Sequence, residues 1–214
     1  MREFTRLRWA VRVLLLVGVA VLLLRLMAIG GWPQAYVMTG PSMGPTVHAG
    51  EYFIATGPVK HLRRGMLVIF RYDDDDGVFH VLRRLVGLPG DTVALRDGRA
   101  VVNGEAMSWP FRIIAPKAWR SLYVRGENLY TWGPVRVPRD SVLLLSDTRD
   151  MLGFPDSRFI GPVAIGSLEA EARWAIWAPG KGLLFRSLRR SAAAAKGPGT
   201  SPRTPPNALL TPGR

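Results

Sequence analysis

The chain has 214 residues, no cysteine and a net charge of +13. This length allows one sizeable folded domain, and the lack of cysteine excludes disulfides, thiolate metal sites and cysteine nucleophiles. The positive charge alone would suggest a nucleic acid or an anionic membrane surface as the partner. Because the charge is spread unevenly, with part of it at the two ends of the chain, we expect no nucleic-acid partner.

The first predicted element is an apolar membrane helix at residues 9–31, preceded by a basic segment at residues 1–8. The stretch from Trp9 to Ile29 would form a helix about 31 Å long at about 1.5 Å per residue, which matches the hydrocarbon core of a bilayer. A cleaved signal peptide is the alternative, since a positive region precedes about a dozen apolar residues. However, Arg25 lies where the cleavage region would begin, and no Ala-x-Ala motif follows it. We therefore expect an uncleaved transmembrane anchor.

The charges around this helix predict its orientation. Four arginines stand against a single glutamate at the amino end of the chain: Arg2, Arg6, Arg8 and Arg12. The positive-inside rule leaves such an end in the cytoplasm. We therefore expect a single-pass protein of the cytoplasmic membrane, with the residues after Trp32 on the outer side.

Residues 32–180 consist of short apolar or alternating runs separated by Gly, Pro and Asp, a pattern typical of strands. Asp97-Gly98 lies between two such runs and Asn103-Gly104 follows closely, and both dipeptides favour tight hairpin turns. No long amphipathic helix is apparent in this part of the sequence. The sequence therefore predicts a mostly β domain.

Three further features have alternative interpretations. The run Asp73 to Asp76 offers ligands for hard cations, but nothing fixes their spacing, so we expect a solvated turn and no metal site. Residues 181–214 are basic and rich in Pro, Gly and Ala, which predicts a disordered tail. The cations of this tail could contact anionic lipid headgroups or simply be solvated. Trp174 and Trp177 suit either a membrane interface or the core and surface of the domain.

The segment TGPSMGPTV, residues 39–47, contains the candidate nucleophile, Ser42. A serine nucleophile needs a fixed position, an activating base and backbone donors for the oxyanion. Pro41 and Pro45 restrict the backbone on either side of the serine, while Gly40 and Gly44 permit tight geometry and the close approach of a substrate. On its own, the segment is also compatible with an ordinary loop.

Four segments, in order along the chain, resemble the sequence boxes of type I signal peptidases, the membrane serine proteases that release signal peptides. Ser-Met-x-Pro-Thr at 42–46 resembles the nucleophile box and follows the predicted anchor. RRGMLVIF at 63–70, LRRLVGLPGDTV at 82–93 and SDTRDMLGFPDSRFIGPV at 146–163 resemble the three boxes that come after it. The resemblance covers about residues 6–172.

The resemblance implies a signal-peptidase-like, mostly β catalytic domain with one N-terminal transmembrane helix and no cofactor. The implied partners are signal-peptide-bearing preproteins, cleaved through an acyl-enzyme at Ser42, and membrane lipids. The backbone N–H of Ser42 would donate to the oxyanion, and Gly40 stands where many members have a hydroxyl that helps. Met43 would help to shape the floor of the site. Four charged residues match positions that hold the last box against the base strand: Arg84, Asp147, Asp156 and Arg158.

The general base is the position at which the chain departs from the family. The family has a lysine, or a histidine in relatives from the endoplasmic reticulum, where this chain has Arg83. A guanidinium has five donors and no acceptor, so Arg83 is a doubtful base. His80 would point to the opposite face of a regular strand unless a bulge turned it inward. His48 follows Ser42 by six residues, in a loop.

A second departure accompanies the first. The family serine that hydrogen-bonds the lysine is replaced here by Met151, Leu152 and Gly153, in a box two residues longer. These linked changes leave two hypotheses open. The chain is either an active peptidase with an unusual base arrangement, or a non-catalytic homologue that binds signal peptides or assists another peptidase.

Overall fold

The computed structural model describes residues 2–30, 33–108, 123–124, 127–128, 130–149 and 155–189. The chain begins with helix α1, Arg2–Gly30, at the predicted position of the apolar helix. Every side chain of this helix from Arg8 to Arg25 is exposed. Within the described part of the chain, no helix combines the length and the apolar character that crossing a bilayer requires.

The rest of the described chain is mostly β, as the sequence predicts. The strands of the main sheet are β1 (Pro33–Val37), β2 (Tyr52–Thr56), β3 (Leu67–Asp74), β4 (Gly77–Gly87), β11 (Ser141–Leu145), β12 (Val163–Ala164), β13 (Leu168–Ala178) and β14 (Gly182–Ser187). The strands of a second sheet are β5 (Thr92–Arg96), β6 (Arg99–Val102), β7 (Glu105–Ala106) and β10 (Trp132–Arg136). Two short strands, β8 (Tyr123–Val124) and β9 (Glu127–Asn128), pair with each other, and a short helix α2 spans Ser157–Ile160.

The main sheet has the strand order β1-β2-β13-β3-β4-β11-β12, with β14 paired to β13. The second sheet has the order β10-β5-β6-β7. Asp97 and Gly98 form the turn between β5 and β6, and Asn103 and Gly104 form the turn between β6 and β7. All four have positive φ, which is the geometry that Asp-Gly and Asn-Gly hairpins favour. Both predicted hairpin turns are confirmed.

The centre of the main sheet is buried on both faces. Leu67 and Ile69 of β3 pack into a core cluster with Met43 and Phe53, whereas Val68 packs into a cluster on the opposite face. A third cluster lies between the second sheet and β11. Strands covered on both faces need apolar residues at consecutive positions, which explains continuous runs such as LVIF and VLLL.

The two polar stretches of uncertain interpretation have different outcomes. Asp75 and Asp76 form the turn between β3 and β4, and Asp73 and Asp74 end β3; all four are exposed, so the prediction of a solvated turn is confirmed for Asp75 and Asp76. Strand β14, in contrast, lies within residues 181–214, which were expected to be disordered. It is ordered because it pairs with β13 and leads to Leu188, which is buried. The folded chain therefore continues past the expected boundary at residue 180, and residues 190–214 lie outside the described part.

Candidate active site

Ser42 lies in a short 3-10 helix, Pro41–Met43, that leads out of β1. Its carbonyl oxygen accepts a hydrogen bond of 3.0 Å from the backbone N–H of Thr148. The Thr148 hydroxyl donates to the carbonyl oxygens of Pro41 and Gly44, at 3.1 and 3.0 Å. The Ser42 side chain is fully buried. The serine is therefore held from both sides by a residue of the last sequence box.

Arg83 approaches the serine from strand β4. Its Nη1 donates to Ser42 Oγ at 3.1 Å and to the carbonyl oxygen of Leu82 at 2.6 Å. Its Nε donates to the carbonyl oxygen of Pro155 at 2.9 Å. The structure thus brings the candidate nucleophile and the base-position residue into direct contact, with the arginine as donor.

The environment of Arg83 favours its neutral form more than water would. Burial lowers the pKa of Arg83 to about 10; nearby Asp156 and Asp147 oppose this shift, and Arg158 adds to it. The side chain is only 2% exposed. At neutral pH the guanidinium still carries its charge, and in this form it has no lone pair with which to accept a proton from Ser42 Oγ.

The four charged residues predicted to support the site form two buried ion pairs. Arg84 donates through Nε and Nη2 to both oxygens of Asp147, at 2.7 and 2.5 Å. Arg84 Nη2 also donates to the hydroxyl of Thr46, at 3.0 Å. This pair connects strand β4, the loop after the serine and the beginning of the last box.

Asp156 and Arg158 form the second pair, at the start of helix α2. The Asp156 carboxylate accepts from the backbone N–H of Arg158 at 3.0 Å, from Arg158 Nη2 at 2.8 Å and from the hydroxyl of Ser146 at 2.8 Å. Burial alone would raise the pKa of Asp156, but the charge and hydrogen bonds of Arg158 hold it below its usual value. This carboxylate therefore remains ionised inside the domain.

Ser42 and Arg83 line a cleft of about 330 Å³. One wall runs along residues 36–40 and the other along residues 79–83, so the cleft lies between two stretches of extended chain. Apolar side chains from Phe53, Ile69 and Leu82 also contribute. Such a cleft fits an extended peptide, which can bond to backbone groups along its walls and place small side chains in the apolar part.

The model of the family "signal peptidase, peptidase S26" matches residues 6–177 of the chain. The chain belongs to this signal peptidase family. It is 34% identical to signal peptidase I of Bacillus licheniformis over 119 residues, which are 54% of this chain and 62% of that relative. It is 32% identical to the probable signal peptidase I-2 of a Synechocystis species over 186 residues, which are 81% of this chain and 79% of that relative.

A crystal structure of a signal peptidase I from Enterococcus faecalis matches 59% of this chain and 99% of that chain, with 23% identity and a TM-score of 0.37. The part of the chain that matches the Bacillus licheniformis relative spans about three fifths of the length of that relative. The matched residues 6–177 include all four boxes, and the residues that meet at Ser42 come from these boxes.

The two histidines weighed as substitute bases are engaged elsewhere. His80 Nδ1 lies 2.6 Å from Glu169 Oε2, and His48 Nδ1 lies 3.2 Å from Glu51 Oε1. The pairing of β3 with β4 runs without a register shift past both His80 and Arg83. The bulge that would turn His80 toward the face of Arg83 is therefore not present, although His80 does line the outer part of the cleft.

Other predicted site residues have simpler positions. Gly40 precedes the 3-10 helix of the serine and lines the cleft. Met43 is fully buried in the first core cluster, beneath the loop that carries the serine. Met151, Leu152 and Gly153 lie outside the described residues, so the expected loss of the orienting serine stays a prediction.

Sequence reasoning missed two residues that position the site. Thr148 holds the Ser42 loop, and its place directly after Asp147 in the last box was the available signal. Pro155 positions Arg83 through a backbone carbonyl, which every residue type carries and which the sequence therefore cannot identify.

Proposed function

We propose that the protein is a membrane-anchored serine endopeptidase that cleaves signal peptides from exported preproteins through an acyl-enzyme at Ser42. The observation that carries this proposal is the contact of 3.1 Å between Ser42 Oγ and Arg83 Nη1, inside a cleft shaped for an extended peptide. Membership of the signal peptidase family supports the choice of substrate. The Bacillus licheniformis and Synechocystis relatives both carry the name signal peptidase I.

The substrate would lie extended between the two walls of the cleft. Backbone groups of residues 36–40 and 79–83 would supply main-chain hydrogen bonds, and the apolar side chains between them would accept small substrate side chains. Ser42 Oγ would then attack the scissile carbonyl. The developing oxyanion would accept from the backbone N–H of Ser42, next to Gly40.

Arg83 would act in two protonation states. The charged guanidinium stabilises an alkoxide on Ser42 through its hydrogen bond. The neutral guanidine, which carries a lone pair, would take the proton of the Ser42 hydroxyl. Burial makes this form accessible because it lowers the pKa of Arg83 to about 10. The proton would then pass to the leaving amine, so that the mature protein departs as the acyl-enzyme forms, and water would hydrolyse the acyl-enzyme to release the signal peptide.

The membrane assignment is part of the same proposal. Helix α1 exposes apolar side chains from Trp9 to Leu24, and arginines flank them, which suits an N-terminal anchor with its amino end in the cytoplasm. Trp174 and Trp177 are partly exposed on β13, where indole rings could meet lipid headgroups. Anchoring would raise the effective concentration of a preprotein emerging at the same membrane surface.

A second candidate function is favoured by one observation, the arginine at the base position. Without a base that works at neutral pH, the chain would bind signal peptides or assist another peptidase without cleaving. Both candidates use the same cleft and the same membrane surface. They differ only in whether Ser42 is acylated.

The experiment that separates them uses the purified full-length protein with a preprotein in detergent micelles. Wild type, Ser42→Ala and Arg83→Lys are compared for release of the mature protein, with the cleavage site read by mass spectrometry. Cleavage by wild type that disappears in Ser42→Ala supports the peptidase. Cleavage that occurs only in Arg83→Lys supports the non-catalytic homologue.

A further inference from the structure

Among the residues that the structure describes, the buried charges around the site do not balance. Four buried arginines, Arg83, Arg84, Arg149 and Arg158, lie there with the carboxylates of Asp147 and Asp156. The carboxylates are bound by Arg84 and Arg158. Within the described residues, Arg83 and Arg149 have no carboxylate in a salt bridge. An uncompensated buried charge is costly, so an anion that could reach either guanidinium would bind favourably.

These two arginines differ in their position relative to the cleft. Arg83 lines the cleft, whereas Arg149 is not among the residues that line it. Arg83 Nη2 is buried and has no hydrogen-bond partner among the residues that the structure describes. Its Nη1 donates to Ser42 Oγ. The guanidinium therefore offers an unused donor beside the atom at which an acyl group would form.

We propose that Arg83 makes this cleft a binding site for the C-terminal carboxylate of a peptide, the group that cleavage at Ser42 creates on the released signal peptide. This inference rests on the proposed function. In the acyl-enzyme, the carbonyl carbon of the signal peptide is bonded to Ser42 Oγ. When water breaks that bond, both oxygens of the new carboxylate are left next to the guanidinium.

The chemistry of arginine distinguishes this site from one with a lysine base. A base lysine must be neutral to accept a proton, and a neutral amine does not attract a carboxylate. Arg83 keeps its charge at neutral pH, and its Nη2, which has no partner among the described residues, can donate a charge-assisted hydrogen bond to a carboxylate. After hydrolysis, the charged Arg83 therefore holds the new carboxylate of the signal peptide more tightly than a neutral lysine would.

The test measures binding to full-length Ser42→Ala protein in detergent micelles, so that no peptide is cleaved. Two fluorescent peptides share one signal-peptide C-terminal sequence and differ only in ending as a free acid or as an amide. We expect the acid to bind at least about tenfold more tightly, the effect of one charge-assisted hydrogen bond. An additional Arg83→Met substitution should remove this preference, and Arg83→Lys should keep part of it.

Arg149→Met is the matched control, because Arg149 is equally buried and equally without a carboxylate but does not line the cleft. It should leave the preference for the acid unchanged.

The inference would be overturned if Ser42→Ala protein bound the acid and the amide with equal affinity. This comparison needs no substitution at Arg83, so the test does not depend on whether the Arg83 variants fold. Displacement of the acid by acetate at equal concentration would also overturn it, since the site would then bind any small carboxylate. Cleavage by the wild-type protein is measured in a separate assay. A failure of the proposed peptidase activity is therefore distinguished from a failure of carboxylate binding.

Discussion

Raising the pH from 7 to 9 should increase peptide cleavage about a hundredfold, because Arg83 can accept the Ser42 proton only in its neutral form. Burial lowers the pKa of Arg83 to about 10. The neutral form then amounts to about one molecule in a thousand at pH 7 and about one in ten at pH 9. The value of kcat/KM should therefore rise about tenfold for each pH unit across this range.

The assay uses full-length protein in detergent micelles and a quenched fluorescent peptide that spans a signal-peptide cleavage site. Initial rates are measured at a substrate concentration well below KM, and Ser42→Ala gives the background at each pH. Circular dichroism at each pH verifies that the fold is retained. Arg83→Lys is the informative control. An ordinary lysine has a pKa about two units below that of arginine, so the same burial should move the rise in rate about two pH units lower.

A constant kcat/KM between pH 7 and 9 would refute this role for Arg83. So would a rising profile that stays in the same place in Arg83→Lys, because the titrating group would then be another residue or the substrate. Either result would instead favour a base supplied from elsewhere in the cleft.

Three further predictions concern the groups that hold the site together. Thr148→Val should lower kcat/KM about tenfold and the free energy of unfolding by about 1 kcal/mol, since the hydrogen bond that the Thr148 hydroxyl shares between the carbonyl oxygens of Pro41 and Gly44 is lost. Thr148→Ser should restore both, and an unchanged rate in the valine variant would contradict this positioning. Asp156→Asn should cost about 3 to 5 kcal/mol in urea unfolding because Arg158 loses its buried partner, and a loss below 1 kcal/mol would contradict the pairing. Burial would raise the pKa of Asp156 and of Asp91, but Arg158 and Arg64, respectively, hold both pKa values below the ordinary aspartate range. Their stabilisation is therefore present above the ordinary aspartate pKa, about 4, and is lost as the pH falls through the folded values. The urea midpoint should accordingly drop on going from pH 4 to pH 3, and a level midpoint over that interval would contradict it.

The hairpins and the assembly of the site could be predicted because their signals are local. Asp97-Gly98 and Asn103-Gly104 favour positive φ whatever surrounds them, so each turn is determined by its own dipeptide. The contact between Ser42 and Arg83 was predictable in a different way, since both lie in boxes of a family that the sequence resembles. In both cases a short segment carried the necessary information.

The remaining features depend on contacts between distant segments. Strand β14 lies in a segment, residues 181–214, whose basic composition rich in Pro, Gly and Ala is typical of disorder. The strand is ordered because β13 offers an edge and the first core cluster accepts Leu184. The Pro155 carbonyl that orients Arg83 is a backbone group and has no signature in the sequence. The direction of the His80 side chain depends on whether β4 contains a bulge. The pairing register of β4 with β3 determines this, and that register joins two separate segments of the chain.

Strand β14 also affects how the protein can be handled in the laboratory. Arg186 of this strand donates to the carbonyl oxygen of Thr46 at 2.7 Å and to Glu51 at 2.8 Å, and so ties the end of the folded chain to the loop behind the serine. A shortened version ending at residue 180 would cut this tie and expose the edge of β13 to other molecules. Affinity tags and truncations intended for crystallisation should therefore be placed after Arg189, so that the hydrogen bonds of Arg186 to Thr46 and Glu51 are kept.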